Sequence, residues 1–243
     1  MRKILLVAAF FLTSVCFAAQ APVFDQANAQ YKKGDFKGAL ENYEKLLRTG
    51  QATAAVYYNM GNAALKTGEK GQALVYYERA RKAAPRDIDL EWNIRVLRDT
   101  LKDTIEDKSH FALSALKKFL GRWTTNELAF TFTAFLALSA LLSVGGLLFS
   151  SLPVRGLFFP ITAALIFSGV LLGLKIWDVK DPRVVVLDRE VPAFYGPSDS
   201  ETKAFVLHEG AEGRLMDESG DWLYVVLDNK NGGWLRKNAC EIV

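Results

Sequence analysis

Cysteine and histidine are scarce, with two of each in 243 residues. Cys16 lies in an apolar N-terminal run that we expect to be removed, which leaves Cys240 as the single thiol. One cysteine cannot form an intramolecular disulfide, and His110 and His208 have no partners at zinc-site spacing. The composition therefore predicts a protein without a metal or other cofactor. It also offers few residues that could form a catalytic Cys–His pair.

The chain also lacks a strongly basic region. Residues 20–109 hold 15 basic and 13 acidic side chains, and residues 178–243 hold 8 and 13. Neither balance suits the phosphate backbone of a nucleic acid. The sequence contains no phosphate-binding loop, nucleophile motif or metal-ligand spacing. We therefore expect a protein that binds no nucleic acid and is not an enzyme.

The N-terminus has the pattern of a secretory signal peptide. Two basic residues follow Met1, an apolar run too short to span a bilayer comes next, and small residues surround Ala18. This predicts a signal peptide over residues 1–18, with a second possible cleavage site at Ala21. One alternative is acylation at Cys16, which the bulky Val15 before it disfavours. Another is an uncleaved signal anchor, which leaves the next domain on the same side of the membrane.

A pattern of residues recurs after 34 positions. The matched pairs are Gly34 with Gly68, Ala39 with Ala73 and Tyr43 with Tyr77. The second unit resembles a tetratricopeptide (TPR) repeat at Tyr57, Gly61, Gly68, Ala73, Tyr77, Ala80 and Pro85. Small residues are needed where two helices cross, glycine suits the turn between them, and proline ends the second helix. The first unit is looser, with Gln51 where a proline would end it.

An amphipathic segment follows the second repeat. Its apolar residues are Ile88, Trp92, Val96, Leu97 and Leu101, with charged residues between them. This pattern predicts a helix that covers the open apolar face of the second repeat. Residues 22–107 are therefore predicted to form an α-helical TPR solenoid of two repeats and a capping helix.

The resemblance to TPR proteins implies a binding face lined by the first helix of each repeat. By repeat position, this inner face comprises Phe24, Asn28, Tyr31, Tyr58, Asn62, Leu65, Asp89 and Trp92. These side chains predict a mixed aromatic and polar groove for a peptide or partner helix; the alternative is that they only pack the cap. The TPR type that clamps a carboxylate matches at Asn28 and Asn59, but Phe24, Asp89 and Asn93 stand at its basic positions.

Two long apolar runs follow the repeats. Residues 128–149 hold no charged side chain, and residues 156–177 are apolar until Lys175 and end at Trp177. About 20 apolar residues cross the roughly 30 Å of bilayer hydrocarbon, so these runs predict a transmembrane helical hairpin. Residues 108–127 form an amphipathic linker whose lysines suit a lipid surface.

Two spans place both flanking domains on one side of the membrane. A signal peptide in front makes that side extracytoplasmic, so we expect a two-span protein of the inner membrane with both domains in the periplasm. Lys117, Lys118 and Arg122 before the first span favour the opposite orientation. We follow the signal peptide because translocation of the first segment precedes the emergence of the hairpin.

Short strand-like runs and glycine-rich turns occupy residues 182–243. They predict a small all-β barrel with a hairpin turn at residues 218–221. The segments around Gly210, Trp222 and Trp234 resemble a bacterial SH3 (SH3b) domain. Trp222, Tyr224 and Trp234 predict an aromatic recognition face; the alternative is that they, and Trp222 above all, form the barrel core.

The order of the modules is more specific than any one of them. Signal peptide, TPR repeats, two spans and a terminal SH3b domain together resemble the BatE family of the bacterial aerotolerance (Bat) proteins, over nearly the full length. The resemblance implies protein partners, namely other Bat membrane proteins with von Willebrand factor A domains and, indirectly, a MoxR-type AAA ATPase. It implies a membrane-anchored scaffold or adaptor in an aerotolerance or stress complex. The alternative is a cell-envelope sensor whose SH3b domain binds peptidoglycan or cell-wall peptides.

Overall fold

The structure is a computed structural model, and it describes residues 20–103, 111–148, 152–179, 182–227 and 231–243. The predicted signal peptide over residues 1–18 lies outside the described residues. The chain divides into two compact units, Met1–Glu106 with Arg183–Val243, and Asp107–Pro182. The first unit is therefore built from two stretches of chain that flank the predicted hairpin.

Helices form the N-terminal part of the first unit. They are α1 (Gln20–Lys32), α2 (Phe36–Arg48), α3 (Ala54–Thr67), α4 (Lys70–Ala83) and α5 (Ile88–Asp99). Helix α1 packs on α2, α3 packs on α4, and α5 packs on α4. Two consecutive helical pairs followed by a single helix confirm the predicted helical-repeat architecture.

Capping residues set the helix boundaries. Asp35 and Asp87 accept hydrogen bonds from the backbone N–H groups of Gly38 and Leu90, each at 3.0 Å. These carboxylates satisfy amides that the first turn of a helix leaves without an intrahelical partner. Gly68 ends α3 with a φ of +88°, a left-handed conformation that costs glycine little.

The helices of the second pair cross at Gly61. A Cβ atom at this position would lie 2.4 Å from Cδ1 of Tyr77, so a larger residue would push α3 and α4 apart. Tyr77 and Ala73 on the facing helix are fully buried. The small residues predicted at the helix crossing are therefore required by the packing.

The buried face of α5 differs from the predicted one. The residues of this helix that pack into the core are Leu90, Ile94 and Leu97. Those predicted to cover the second repeat include Ile88, Trp92 and Val96, which are 82%, 61% and 44% exposed. The prediction was wrong for these three because α5 carries two apolar stripes on opposite sides, and periodicity alone does not select which one faces the repeats.

An antiparallel sheet forms the C-terminal part of the first unit. Its strands are β1 (Arg183–Val186), β2 (Glu190–Phe194), β3 (Lys203–His208), β4 (Glu212–Ser219), β5 (Trp222–Val226), β6 (Gly232–Arg236) and β7 (Cys240–Ile242). The strand order is β3-β2-β6-β5-β4-β1-β7, and the paired strands run antiparallel. The β4–β5 hairpin turns at Gly220, where φ is +55°. The predicted all-β C-terminal region is therefore confirmed as an antiparallel sheet.

The sheet packs directly on the helices. Val185 of β1 belongs to the same buried apolar cluster as the helical core residues, and Leu101 and Leu187 pack against that cluster. A Cβ atom at Gly71 of α4 would lie 2.5 Å from the backbone oxygen of Val186, so only glycine permits this approach of α4 to β1. Strand β1 therefore contributes to the apolar core of the helices, and the sheet also has a buried cluster of its own.

Charged side chains cross the same interface. Arg98 of α5 donates to both carboxylate oxygens of Glu212 in β4, at 2.7 and 2.9 Å, and to Glu78 of α4 at 2.9 Å. Glu78 is only 5% exposed. Burial lowers the pKa of Arg98, but the Glu212 and Glu78 carboxylates offset this effect and raise it above its usual value. Arg81 also pairs with Glu78, at 2.5 Å, so the cluster holds two arginines and two glutamates.

Further polar contacts surround this cluster. Glu209 accepts a hydrogen bond from the amide N–H of Gly71 at 2.9 Å. Glu241 of β7 lies 2.6 Å from a guanidinium nitrogen of Arg79. Asp103, just after α5, accepts the backbone N–H of His208 at 2.6 Å. With Glu212 of β4, contacts from β3, β4, β7 and the turn after β3 therefore fix the sheet against α4, α5 and the segment after α5.

The second unit is helical in its described part. Its helices are α6 (Phe111–Gly121), α7 (Thr125–Leu148) and α8 (Leu152–Val179). Thr125–Gly146 and Gly156–Trp177 are long and apolar enough to cross a membrane, close to the predicted spans over residues 128–149 and 156–177. Helix α7 packs on α8, and a Cβ atom at Gly169 would lie 3.1 Å from the ring of Phe132.

The first candidate span begins earlier than predicted. Thr124 Oγ1 accepts the backbone N–H of Glu127 at 3.2 Å, and Glu127 Oε2 accepts the backbone N–H of Thr124 at 2.9 Å. This reciprocal capping box starts α7 at its N-terminal end. The predicted span began at residue 128 because Glu127 is charged. In the structure, Glu127 lies in the first turn of α7 and caps that helix.

Candidate protein-interaction site

The same aromatic contact occurs in both helical pairs. The rings of Phe24 in α1 and Tyr43 in α2 lie 6.1 Å apart, and those of Tyr58 in α3 and Tyr77 in α4 lie 6.0 Å apart. Each residue of the second contact follows its counterpart by 34 positions. The sequence period is therefore also a period of side-chain packing between the two helices of each repeat.

A hydrogen bond recurs with the same spacing. The Tyr43 hydroxyl donates to Asn28 Oδ1, and the Tyr77 hydroxyl donates to Asn62 Oδ1, both at 2.6 Å. Burial raises the pKa of Tyr43 to about 12, and burial likewise raises the pKa of Tyr77. Both phenols are therefore neutral donors, and each fixes the amide of an asparagine predicted to line the inner face.

Two amide contacts connect successive first helices. Asn59 of α3 donates to Asn28 of α1 at 2.9 Å, and Asn93 of α5 donates to the hydroxyl of Tyr58 at 2.9 Å. The two asparagines that match the carboxylate clamp are thus hydrogen-bonded to each other. Together with the tyrosine–asparagine bonds, these contacts form a polar network along the array.

The predicted inner-face residues differ in exposure. Phe24, Asn28, Tyr31, Tyr58, Asn62 and Leu65 are all partly buried. Burial, followed by the neighbouring Tyr58, raises the pKa of Tyr31. Trp92, in contrast, is 61% exposed. The structure brings Phe24, Asn28, Tyr58 and Asn62 into these contacts, Tyr31 packs on Phe36, and Leu65 packs against the apolar core. Trp92 lies on the exposed side of α5.

A second aromatic cluster lies on the sheet. Trp222 and Tyr224 alternate along β5 with Leu223 and Val225, which belong to the buried core of the sheet. Across the register, Trp222 pairs with Arg236 and Tyr224 pairs with Trp234. Because side chains alternate between faces, the three predicted aromatics share the face opposite that core.

The members of this cluster differ in accessibility. Trp222 is 6% exposed, with the ring of Phe194 at 5.5 Å and the guanidinium of Arg236 at 4.3 Å from its centroid. The rings of Tyr224 and Trp234 lie 5.3 Å apart and are partly buried. Tyr224 and Trp234 therefore offer the accessible aromatic surface, and Trp222 is covered by its neighbours.

Arg236 and Phe194 also belong to the cluster and were not predicted from the sequence. Arg236 stacks on Trp222 as a cation–π pair and forms an ion pair with Asp199. Neither residue belongs to a motif, and both reach the cluster through strand register. The pairing of β5 with β6 places Arg236 opposite Trp222, and the sequence alone does not show that pairing.

Comparison with protein families supports the interpretation of the helical part. The tetratricopeptide repeat model matches residues 54–87, which include α3 and α4. No curated protein matches the chain. A TPR repeat supports a role in protein–protein interaction. Among the described residues, no group of three or more His, Cys, Asp or Glu side chains is arranged to hold a metal ion.

Proposed function

We propose that this protein is a membrane-anchored, non-enzymatic scaffold whose TPR groove binds a peptide or helix of a partner protein. The observation that carries the proposal is the recurrence of the same tyrosine–asparagine bond and ring contact in two successive repeats. These contacts hold Asn28, Tyr58 and Asn62, which are partly exposed, and Tyr31 follows Asn28 on α1. A preordered row of aromatic and amide groups loses little side-chain entropy on binding.

The partner class follows from the side chains in this row. They carry aromatic rings and neutral amides, and the clamp residues that would attract a carboxylate are absent from the sequence. Backbone amides and carbonyls of a bound segment suit asparagine, and its apolar side chains suit tyrosine and phenylalanine. An internal peptide or an amphipathic helix therefore fits this groove better than an acidic C-terminus.

The resemblance to the BatE family extends the proposal to specific partners. Other Bat membrane proteins with von Willebrand factor A domains would be the direct partners, and a MoxR-type AAA ATPase an indirect one. In this proposal the sheet is an SH3b-like barrel, both modules are periplasmic, and the complex acts in aerotolerance or stress. The candidate spans Thr125–Gly146 and Gly156–Trp177 support the membrane anchoring.

Photo-crosslinking tests the groove. A photoreactive amino acid at Tyr31 or Tyr58 in the full chain should crosslink a membrane-extracted partner, since both side chains are partly exposed on the first helices. The matched control is the same substitution at Arg48, on the second helix α2, whose side chain is 71% exposed. Equal crosslinking at Arg48 and Tyr58, or none at Tyr31 and Tyr58, would refute a binding groove.

Reporter fusions test the orientation separately. A reporter fused after Val243 should be active in its periplasmic form and inactive in its cytoplasmic form. The same pair of reporters in the loop between the two candidate spans should give the reverse pattern. Cytoplasmic activity at Val243 would overturn the topology and leave the groove proposal to the crosslinking experiment.

A second candidate function is a cell-envelope sensor. The half-buried Tyr224–Trp234 pair favours it, because stacked aromatic rings at a surface suit a peptide or sugar face. Binding of purified muropeptides should then weaken in a Trp234→Ala variant, with Tyr195→Ala, an exposed aromatic just after β2, as the control. No binding to muropeptides in the unsubstituted chain would remove this candidate.

A further inference from the structure

Helix α5 is the first helix of a third repeat by position. Trp92 follows Tyr58 by 34 residues and Phe24 by twice that number. Val96 likewise follows Asn62 by 34 residues and Asn28 by twice that number. The hydrogen bond from Asn93 to Tyr58 mirrors the bond from Asn59 to Asn28, so α5 also stacks as a first helix would.

In the two earlier repeats these positions are covered by the second helix. Phe24 packs on Tyr43 and Tyr58 packs on Tyr77, while Asn28 and Asn62 accept the hydroxyls of those tyrosines. On α5, Trp92 and Val96 remain 61% and 44% exposed, and Ile88 one turn earlier is 82% exposed. Capping helices of soluble repeat arrays present a polar outer face, so an apolar one indicates a docking surface.

The charges beside this apolar stripe indicate what covers it. Glu91 and Arg95 are exposed and lie one turn apart along one edge of the stripe. If a second α5 packs antiparallel with Trp92 near the two-fold axis, Glu91 of each copy lies near Arg95 of the other. In a parallel pair, the Glu91–Arg95 edges of the two copies would lie on opposite sides of the contact, so neither charge would meet its opposite in the other copy's pair. Opposite charges across the pair therefore favour the antiparallel arrangement.

We propose that α5 is a self-association surface, on which a second copy of this chain packs its own α5 antiparallel across Ile88, Trp92 and Val96. The antiparallel direction is also the one in which the second helix of each repeat packs on the first. The contact is isologous, since each stripe covers the other. Anchoring of both copies in one membrane, which rests on the proposed function, raises their effective concentration.

Cysteine crosslinking in the full chain, in detergent and in vesicles, tests the geometry. In a Cys16→Ser, Cys240→Ser background, a Trp92→Cys chain should form a homodimer with a short bismaleimide. A mixture of Ile88→Cys and Val96→Cys chains should crosslink 88 to 96, and each chain alone should crosslink poorly. In the antiparallel pair, equal positions at 88 are about 12 Å apart along the helix axis. Arg48→Cys, on the exposed side of α2, is the control.

Crosslinks of 88 to 88 that exceed those of 88 to 96 would overturn the antiparallel pair. Crosslinking at 92 no stronger than at Arg48 would overturn self-association through α5, and would leave a different protein or the lipid surface as the occupant. Failure of the groove crosslinks at Tyr31 and Tyr58 does not affect either result, so the two proposals fail separately.

Charge reversal supplies an independent test that does not depend on added thiols. Glu91→Arg and Arg95→Glu should each weaken dimerisation of the full chain by roughly tenfold, measured by mass in detergent at several concentrations. The double variant Glu91→Arg/Arg95→Glu should regain most of the dimer, because the two charges exchange places. A double variant as weak as the single ones would contradict the Glu91–Arg95 contact.

Truncation of the stripe tests the apolar part. Trp92→Ala should raise the dimer dissociation constant at least roughly tenfold, as expected for a central aromatic at an interface. Val206→Ala, a 46% exposed apolar residue on β3, is the matched control and should leave the dimer unchanged. Because Trp92 is exposed, its loss should not change the helical content, and circular dichroism checks this. An unchanged dimer in Trp92→Ala would overturn the proposal.

Discussion

Arg98 and Glu212 are 114 positions apart in the sequence and form a two-pronged hydrogen-bonded pair, with N–O distances of 2.7 and 2.9 Å. The pair joins the last helix of the repeat region to a strand that follows the candidate membrane hairpin. Planar pairing of a guanidinium with a carboxylate fixes both distance and angle. The repeat region and the sheet are therefore held in a defined orientation as one unit.

Removal of the Arg98 guanidinium should loosen the sheet from the helices. Arg98→Ala leaves Glu78 and Glu212 without their shared cation, and Glu78 is 5% exposed. We expect a loss of about 1–2 kcal/mol in the free energy of unfolding, since Glu78 then depends on Arg81, and Glu212 on the more distant Arg183, as cationic partners. The measurement is chemical denaturation of the full chain in detergent.

Arg48→Ala is the matched control for this change. Its ion pair with Glu44 is exposed, at 71% and 48% for the two side chains, and should contribute less than about 0.5 kcal/mol. Equal losses in the two variants would show that the Arg98 cluster contributes no more than a surface pair.

A methyl group at Gly71 should separate α4 from β1. The added Cβ in Gly71→Ala would lie 2.5 Å from the backbone oxygen of Val186, and a backbone atom cannot move aside as a flexible side chain can. Alanine otherwise favours a helix over glycine by about 1 kcal/mol, so any loss of stability must come from the contact. Hydrogen exchange should show faster exchange in β1 and β7 with the repeat helices still protected.

Gly121→Ala provides the comparison. This glycine of α6 has nothing within 4 Å of an added Cβ. The substitution should leave stability unchanged or slightly increased. Unchanged exchange in β1 of the Gly71→Ala variant would contradict the close α4–β1 approach.

Alkaline pH should weaken the repeat region through Tyr43. Burial raises the pKa of this phenol to about 12, above its ordinary value of 10.0. Because the folded-state pKa is the higher one, the contribution is fully present below pH 10 and is lost as pH rises towards 12. Stability measured between pH 9 and about pH 11 should fall less steeply in Tyr43→Phe than in the unsubstituted chain. Identical slopes of stability against pH in the two chains would contradict the raised pKa of Tyr43.

Cys240 should react slowly with alkylating reagents in the folded chain. Burial, followed by the nearby Asp188, raises the pKa of its thiol to about 12, so little thiolate forms at neutral pH. Labelling at pH 8, followed by peptide mass spectrometry at this position, should be slower than for the denatured chain. In Arg98→Ala the rate should increase if the sheet edge opens together with the interface. A rate equal to that of the denatured chain would show that Cys240 is accessible.

The repeat part of the fold was predictable because its information is local. Gly34 and Gly68 mark turns, and Gly61 marks a helix crossing, each through the residue type that the geometry requires. The apolar runs likewise specify helices by length and composition alone. For these elements the sequence and the structure agree to within a few residues.

The packing between distant segments was not predictable in the same way. Gly71 was not distinguished from any other helix residue, because the atom that excludes a side chain there belongs to Val186, more than 100 residues later. Trp92 was assigned to the inner face and the apolar stripe of α5 to the cap, because one sequence cannot show which of two stripes finds a partner. Arg236 reached Trp222 only through strand register.

The two candidate membrane helices lie, in the sequence, between the two stretches that build the first unit, and this order has a consequence for biosynthesis. The contacts of Glu209, Glu212 and Glu241 with the helices close only after both spans have been translated. Until then, the repeat helices expose the apolar surface that later receives Val185. The first unit can thus be completed only after the whole chain has been made, and a chain that ends within the hairpin leaves this apolar surface open to proteases and chaperones.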